Sequence, residues 1–151
     1  MTKSVPFVSL LSKRLGWAGL LPQLLAVVMI ASRDPAWYFA ALAFAACYAA
    51  LILSFVGGVW WGLALTSPTV PRWAPIAAVV PTLIALGAFL PWMFGLPWPG
   101  PSLIIVGASL TASPWVDRAL SRGETGAAEW LALRMRLSTG LGLLTIIAAW
   151  L

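Results

Sequence analysis

Five long apolar runs follow one another along the chain, separated by short segments that hold most of the charges and many of the prolines. A helix that crosses a bilayer needs about 20 mainly apolar residues. The pattern therefore predicts an all-α fold, a polytopic membrane bundle of about five transmembrane helices within one domain over residues 1–151. The predicted spans are about 15–31, 36–65, 74–94, 102–116 and 130–151.

The second run is unusually long. Its 30 residues carry no charge, and at about 1.5 Å per residue a helix of that length exceeds a hydrocarbon core of about 30 Å. It must tilt, protrude or break, and Gly57-Gly58 is the candidate break. The proline-rich segment Leu90–Pro101 predicts a loop at the membrane surface, and Asp117–Glu129 predicts a charged loop.

Composition excludes a soluble globule. The chain is 62% hydrophobic and 9% charged, with a mean hydropathy of +0.96, whereas soluble domains carry roughly 25% charged residues. The net charge of +5 comes from basic residues scattered between apolar runs, so membrane lipids are predicted as partners and nucleic acid is not.

The basic residues also predict an orientation, because short cytoplasmic loops are enriched in Lys and Arg. With five spans, one side carries Lys3, Lys13, Arg14, Arg72, Arg118, Arg122, Arg134 and Arg136. The other side carries Arg33 alone. This bias predicts a cytoplasmic N-terminus and a periplasmic C-terminus for a protein that we expect in the bacterial inner membrane. The ten tryptophans fall near predicted helix ends, as an interfacial aromatic belt does.

Metal, redox and cofactor chemistry find little support. The chain has no histidine and a single cysteine, which excludes intrachain disulfides and Cys/His zinc sites. Cys47 lies in an alanine-rich apolar run, which predicts a buried thiol. We predict no cofactor and no metal site.

Small residues recur at every fourth position of the second run. These are Ala46, Ala50, Ser54, Gly58 and Gly62, and the last two form a GxxxG motif. Small residues on one helix face allow another backbone to approach closely. The stripe predicts packing within the chain, with a homo-oligomer face or a ligand-contacting backbone as alternatives.

The charges before and within the last run form an ionic cluster. Its members are Asp117, Arg118, Arg122, Glu124, Glu129, Arg134 and Arg136. If the last span began only after Arg136, its 15 residues would cover about 22 Å and fall short of the core. One of Arg134 and Arg136 is therefore expected to point inward to a carboxylate, with Asp117 the preferred partner and Glu129 the second. A structural clamp is one interpretation, and a site for an anionic headgroup or substrate is the other.

Three function classes follow. Acids and bases are missing from the predicted mid-membrane positions, which weakens ion-coupled transport, and the serines have no histidine to activate them. The favoured hypothesis is a non-enzymatic scaffold, assembly helper or binding module for a lipid or hydrophobic ligand, working with other membrane proteins or as a homo-oligomer. A small oligomeric transporter or permeation subunit is the alternative. A lipid-headgroup enzyme using Asp117 with Arg134 or Arg136 is the third.

Several strings together carry a family resemblance. They are LGWAGLLPQL, YAALILSFVGGVWWGLAL, AAVVPTL, WVDRAL and EWLALRMRLST, in that order. The chain from Leu15 onward resembles an uncharacterised membrane family, domain of unknown function family 3429, that includes mitochondrial transmembrane protein 69. The resemblance implies a compact five-helix protein with relatives in the mitochondrial inner membrane and supplies no activity. Family members often carry histidine near the position of Trp60, so its absence argues against acid–base chemistry there. Size and tryptophan content are also similar to the tryptophan-rich sensory proteins.

Overall fold

A computed structural model describes residues 8–95, 99–121 and 127–151. These residues form helices and turns without a strand. The helices are α1 (Leu10–Ala18), α2 (Leu21–Ala31), α3 (Tyr38–Thr66), α4 (Ala74–Met93), α5 (Gly100–Leu120) and α6 (Ala127–Ala148). The chain is thus an all-α bundle, in which α1 and α2 together occupy the first predicted span.

The first span is interrupted between α1 and α2. Pro22 has no backbone N–H to donate to the carbonyl four residues earlier, and its ring crowds that carbonyl, which favours an interruption of the helix at Gly19 and Leu20. Tyr48 lies on α3, and its hydroxyl donates a hydrogen bond to the carbonyl oxygen of Gly19. This break gives α1 its own position beside α6.

Two predicted loops are shorter in the structure than the sequence pattern indicated. Leu90–Met93 belong to α4, and Gly100 and Pro101 begin α5, because proline is tolerated in the first turn of a helix. Asp117 likewise lies in the last turn of α5, and Glu129 lies in the first turn of α6. The fourth predicted span is therefore too short at both ends. Residues 96–98 of the first loop lie outside the described part of the chain.

Helix α3 runs through Gly57 and Gly58 without a break. One side of α3 is buried by neighbouring helices, and the other side exposes large apolar residues. The buried residues are Ala41, Leu42, Ala45, Ala46, Ala49, Ala50, Leu53, Val56, Gly57 and Trp60. Most of them are small, so α3 can lie close to several neighbours at once.

The outside of the bundle is apolar. Large side chains such as Phe39, Leu65 and Ile76 are more than 70% exposed, an arrangement that water would oppose and lipid accommodates. Among the described residues, four helical segments are long and apolar enough to cross a membrane: Leu10–Ala31, Tyr38–Thr66, Ala74–Met93 and Ala128–Ala148. Helix α5 is long enough as well, but its hydroxyl residues and Asp117 lower its hydropathy.

Cys47 also belongs to this outer surface. The prediction of a buried thiol is wrong. Cys47 is exposed on α3, beside the exposed Leu51 and the partly buried Ser54. An alanine-rich run marks a closely packed helix but leaves open which of its faces is covered.

Candidate functional site

Close packing of α5 against α6 positions the candidate site. A Cβ atom added to Gly107 would come within 2.8 Å of the carbonyl oxygen of Gly142, and one added to Gly142 would overlap Thr111. The two backbones therefore approach at a distance that only glycine permits. About two turns nearer the connecting segment, the same packing places Asp117 of α5 beside Arg134 of α6.

Asp117 is completely buried and has partners on two other helices. The indole Nε1 of Trp60 donates to Oδ1 at 2.6 Å, and Nε of Arg134 donates to Oδ2 at 3.1 Å. Buried carboxylates are stable when their charge is paired and their oxygens accept hydrogen bonds. This Asp117–Arg134–Trp60 triad thus joins α3, α5 and α6 through one carboxylate.

The carboxylate of Asp117 pairs with only some of the hydrogen-bond donors of Arg134. Its side chain is 14% exposed, and its Nη2 atom is buried without a hydrogen-bond partner among the described residues. An unsatisfied buried donor costs about 1–3 kcal/mol, and more when it is charged. The guanidinium therefore retains donor capacity beyond its ion pair.

Among the cluster members that the structure describes, no other residue joins the triad. Glu129 forms an exposed ion pair with Lys13 of α1 rather than with an arginine, so the second-choice pairing is not formed. Arg118 and Arg136 are exposed. Arg118 lines a cleft of about 200 Å³ with Trp115 and Thr139. Arg122 and Glu124 lie outside the described residues.

The predicted stripe on α3 is only partly used for packing. Ala46 and Ala50 are buried and Ser54 is partly buried, but Gly58 and Gly62 are exposed, and a Cβ on either would meet nothing within 4 Å. The packing prediction is wrong for these two glycines. Residues four apart advance about 40° beyond a full turn, so a four-residue stripe winds away from the buried side over several turns. Gly57 instead contacts the carbonyl of Ala78 on α4.

A groove lies beside the triad, between α1, α3 and α6. It has a volume of about 370 Å³, within the range of about 300–1,000 Å³ that ligand sites have. Its walls are formed by Ser12, Leu15, Gly16, Gly19, Leu20, Ile52, Phe55, Arg134, Leu137, Ser138 and Leu141. Most of these residues are apolar, and Arg134 is the charged residue of the lining.

Sequence reasoning missed the part that Trp60 plays in this site. Its string was singled out as a family signature, and the indole was assigned to an interfacial belt, yet its N–H serves a buried carboxylate. A second missed contact is the buried hydrogen bond from Gln23 Nε2 to Thr145 Oγ1, 3.0 Å long, which ties α2 to α6. Gln23 and Thr145 stand out as polar positions within apolar runs, and this signal could have revealed their contact.

The described residues of the site combine an ion-paired carboxylate, a guanidinium and an apolar groove. Within the described ranges, no group of three or more His, Cys, Asp or Glu side chains could hold a metal ion. Asp117 accepts one hydrogen bond on each oxygen and is fully buried. What the site offers is a guanidinium donor beside an apolar groove.

Comparisons with known proteins give a family and little more. Searches of curated proteins and of solved structures gave no match. A family model matches residues 8–150, nearly the whole chain. The chain belongs to the family described as "Protein of unknown function (DUF3429)".

Proposed function

We propose that the protein is a non-enzymatic membrane module that binds a lipid or another hydrophobic ligand in the groove between α1, α3 and α6. The observation that carries the proposal is the groove itself, about 370 Å³ with mainly apolar walls and Arg134 at its edge. Ligand sites typically combine an apolar lining with a few placed polar groups.

The engagement of Asp117 supports a binding role over an enzymatic one. General acid–base catalysis needs a group within reach of the reacting proton, whereas both oxygens of Asp117 already accept hydrogen bonds from Trp60 and Arg134. A scaffold role in which the ligand helps hold α1 against the bundle is compatible with the same groove.

The proposed location is the bacterial inner membrane. The basic end of the bundle, with Lys13 and Arg14 in α1 and Arg134 in α6, would face the cytoplasm under the positive-inside rule, and Leu151 would face the periplasm. The groove would then open near the cytoplasmic leaflet.

Filling the groove tests the proposal. Leu15 lines it and is 63% exposed, whereas Leu10 of the same helix is 64% exposed and does not line it. We expect mass spectrometry of protein purified in mild detergent to detect a co-purified lipid or hydrophobic molecule in the parent. Leu15→Trp should lose it and Leu10→Trp should keep it. Equal retention in both variants, or no bound molecule in the parent, would contradict the proposal.

A further inference from the structure

We infer that the ligand of this groove is an anionic phospholipid whose phosphate accepts a hydrogen bond from Arg134 Nη2. This inference rests on the proposed function and names the chemical class of its ligand. Its starting point is the buried Nη2 atom, which lacks a hydrogen-bond partner within the described ranges. Nε of the same guanidinium is held by Asp117, which keeps Arg134 beside the groove that it lines. Because Nη2 itself is buried, the side chains that cover it must move aside when a phosphate binds.

The groove has the polarity of a phospholipid. Along α6, Arg134 lies nearest the start of the helix, and Leu141 lies seven residues deeper, about 10 Å along the axis. Along α1, Ser12 lies nearer the start than Leu15. Both helices begin at the same end of the bundle, so the groove is polar toward that end and apolar toward the bilayer interior.

The charge at this end attracts anionic headgroups, among which the Arg134 guanidinium supplies the specific contact. The described residues of α1, the last turn of α5 and the first half of α6 include five basic and two acidic side chains, a balance of +3. They are Lys13, Arg14, Arg118, Arg134 and Arg136 against Asp117 and Glu129. An anionic phospholipid carries a net negative charge on its phosphodiester, which this surplus attracts. Phosphatidylcholine has the same phosphodiester but adds a positive choline group, so its headgroup has no net charge.

Lys13 offers a second donor near the same end. It neighbours the groove residue Ser12, and its ion pair with Glu129 joins α1 to α6 with both side chains more than one-third exposed. Exposed ion pairs contribute little stability, so a phosphate can compete with Glu129 for the ammonium. Arg134 is therefore the primary contact of the phosphate, and Lys13 is a second contact that forms when its ammonium leaves Glu129.

Lipid selectivity in detergent tests the inference. Delipidated protein is titrated with phosphatidylglycerol and separately with phosphatidylcholine of the same acyl chains, and binding is followed by native mass spectrometry. We expect the parent to prefer phosphatidylglycerol by about fivefold or more, since a basic residue near the headgroups contributes about that factor.

The variants isolate the guanidinium. In the double variant Asp117→Asn/Arg134→Gln, no charge is left stranded, and we expect the preference to fall to near unity while lipid still binds. The double variant leaves the net charge unchanged, whereas Arg136→Gln removes one positive charge from an exposed position two residues away and should nevertheless keep the preference. An equal loss in both variants would mean that general surface charge selects the lipid, and the inference would be overturned.

The remaining alternative is that the guanidinium of Arg134 binds a soluble anion instead of a lipid headgroup. Inorganic phosphate and glycerol phosphate should neither stabilise the delipidated parent nor displace phosphatidylglycerol, because the apolar groove contributes part of the affinity. Displacement by either would assign the donor to a free phosphate and overturn the inference. Equal binding of the two lipids by the parent would also overturn it but leave the proposed function standing, whereas binding of neither lipid, together with no co-purified hydrophobic molecule in the parent, would remove both.

Discussion

At the residue scale, the molecule depends on how a buried carboxylate is accommodated. Asp117 has no exposed surface, and its charge is balanced by Arg134 while Trp60 donates to the second oxygen. Removing one partner of a buried ion pair is costly because the other charge stays buried without compensation, typically by about 3–5 kcal/mol. Each member of the triad therefore affects the stability of helices other than its own.

A double-mutant cycle measures this dependence. We expect Asp117→Asn and Arg134→Gln to be coupled by roughly 1 kcal/mol or more, because the two side chains form an ion pair and share one hydrogen-bond network. The measurement is the free energy of unfolding in detergent for the parent, both single variants and the double variant. Additive effects would show that the ion pair adds nothing to stability.

Arg136 supplies the control for that cycle. It lies two positions from Arg134, about 200° around the helix, and its side chain is exposed. Asp117→Asn combined with Arg136→Gln should be additive within about 0.5 kcal/mol. A coupling similar to that of Arg134 would indicate a long-range charge effect instead of a specific contact.

At the scale of the element, α3 shows that a run of small residues does not specify which of them contact a neighbouring helix. The sequence marks α3 as a helix with small residues suited to close contact, and that property is real at Ala46 and Ala50. The face that meets α4 is decided by the rotation of the helix, and at that height it presents Gly57 rather than Gly58. A GxxxG motif therefore does not by itself identify the contact.

Paired glycine substitutions test this assignment. Gly57→Ala would place a methyl group on the carbonyl oxygen of Ala78, and we expect the free energy of unfolding to fall by about 1–3 kcal/mol, as for other overpacked positions. Gly58→Ala meets open space and should leave stability unchanged or slightly higher, since alanine is the better helix former. Thermal unfolding in detergent compares the two. Equal loss in both variants would mean that Gly58 also faces a neighbouring helix.

At the scale of the whole molecule, the order of the helices determines which chain segments share an end of the bundle. The first half of α6, the start of α1 and the end of α5 meet there, as the Asp117–Arg134 and Lys13–Glu129 contacts require. Leu151 follows α6 at the opposite end. The basic residues thus concentrate where the triad and the polar end of the groove lie.

Reporter fusions test the resulting orientation. The bias of eight basic residues against one in the sequence predicts a cytoplasmic N-terminus, and an odd number of crossings predicts a periplasmic C-terminus. A reporter active only in the cytoplasm should work when fused to the N-terminus, and one active only in the periplasm should work after Leu151. A cytoplasmic C-terminus would exclude five crossings, with α5 the first helix to reconsider because of its lower hydropathy.

Local chemistry determined much of this protein from the sequence alone. Runs of about 20 apolar residues specify membrane helices wherever they occur, and a charged pair at the bilayer boundary favours Asp117 beside one of two arginines without any knowledge of the fold. These properties depend on hydropathy and on residues near one another in the chain, so a linear pattern contains them.

Other features were decided only by the tertiary structure, because they join residues that are distant in the chain. The choice of Arg134 over Arg136, the indole of Trp60 on Asp117, and the pairing of Lys13 with Glu129 all depend on how the helices rotate and pack. The groove is lined by residues of α1, α3 and α6 that lie far apart in the chain. Apolar periodicity does not specify these rotations, since lipid and protein interior are equally apolar and close packing alone selects which face is buried.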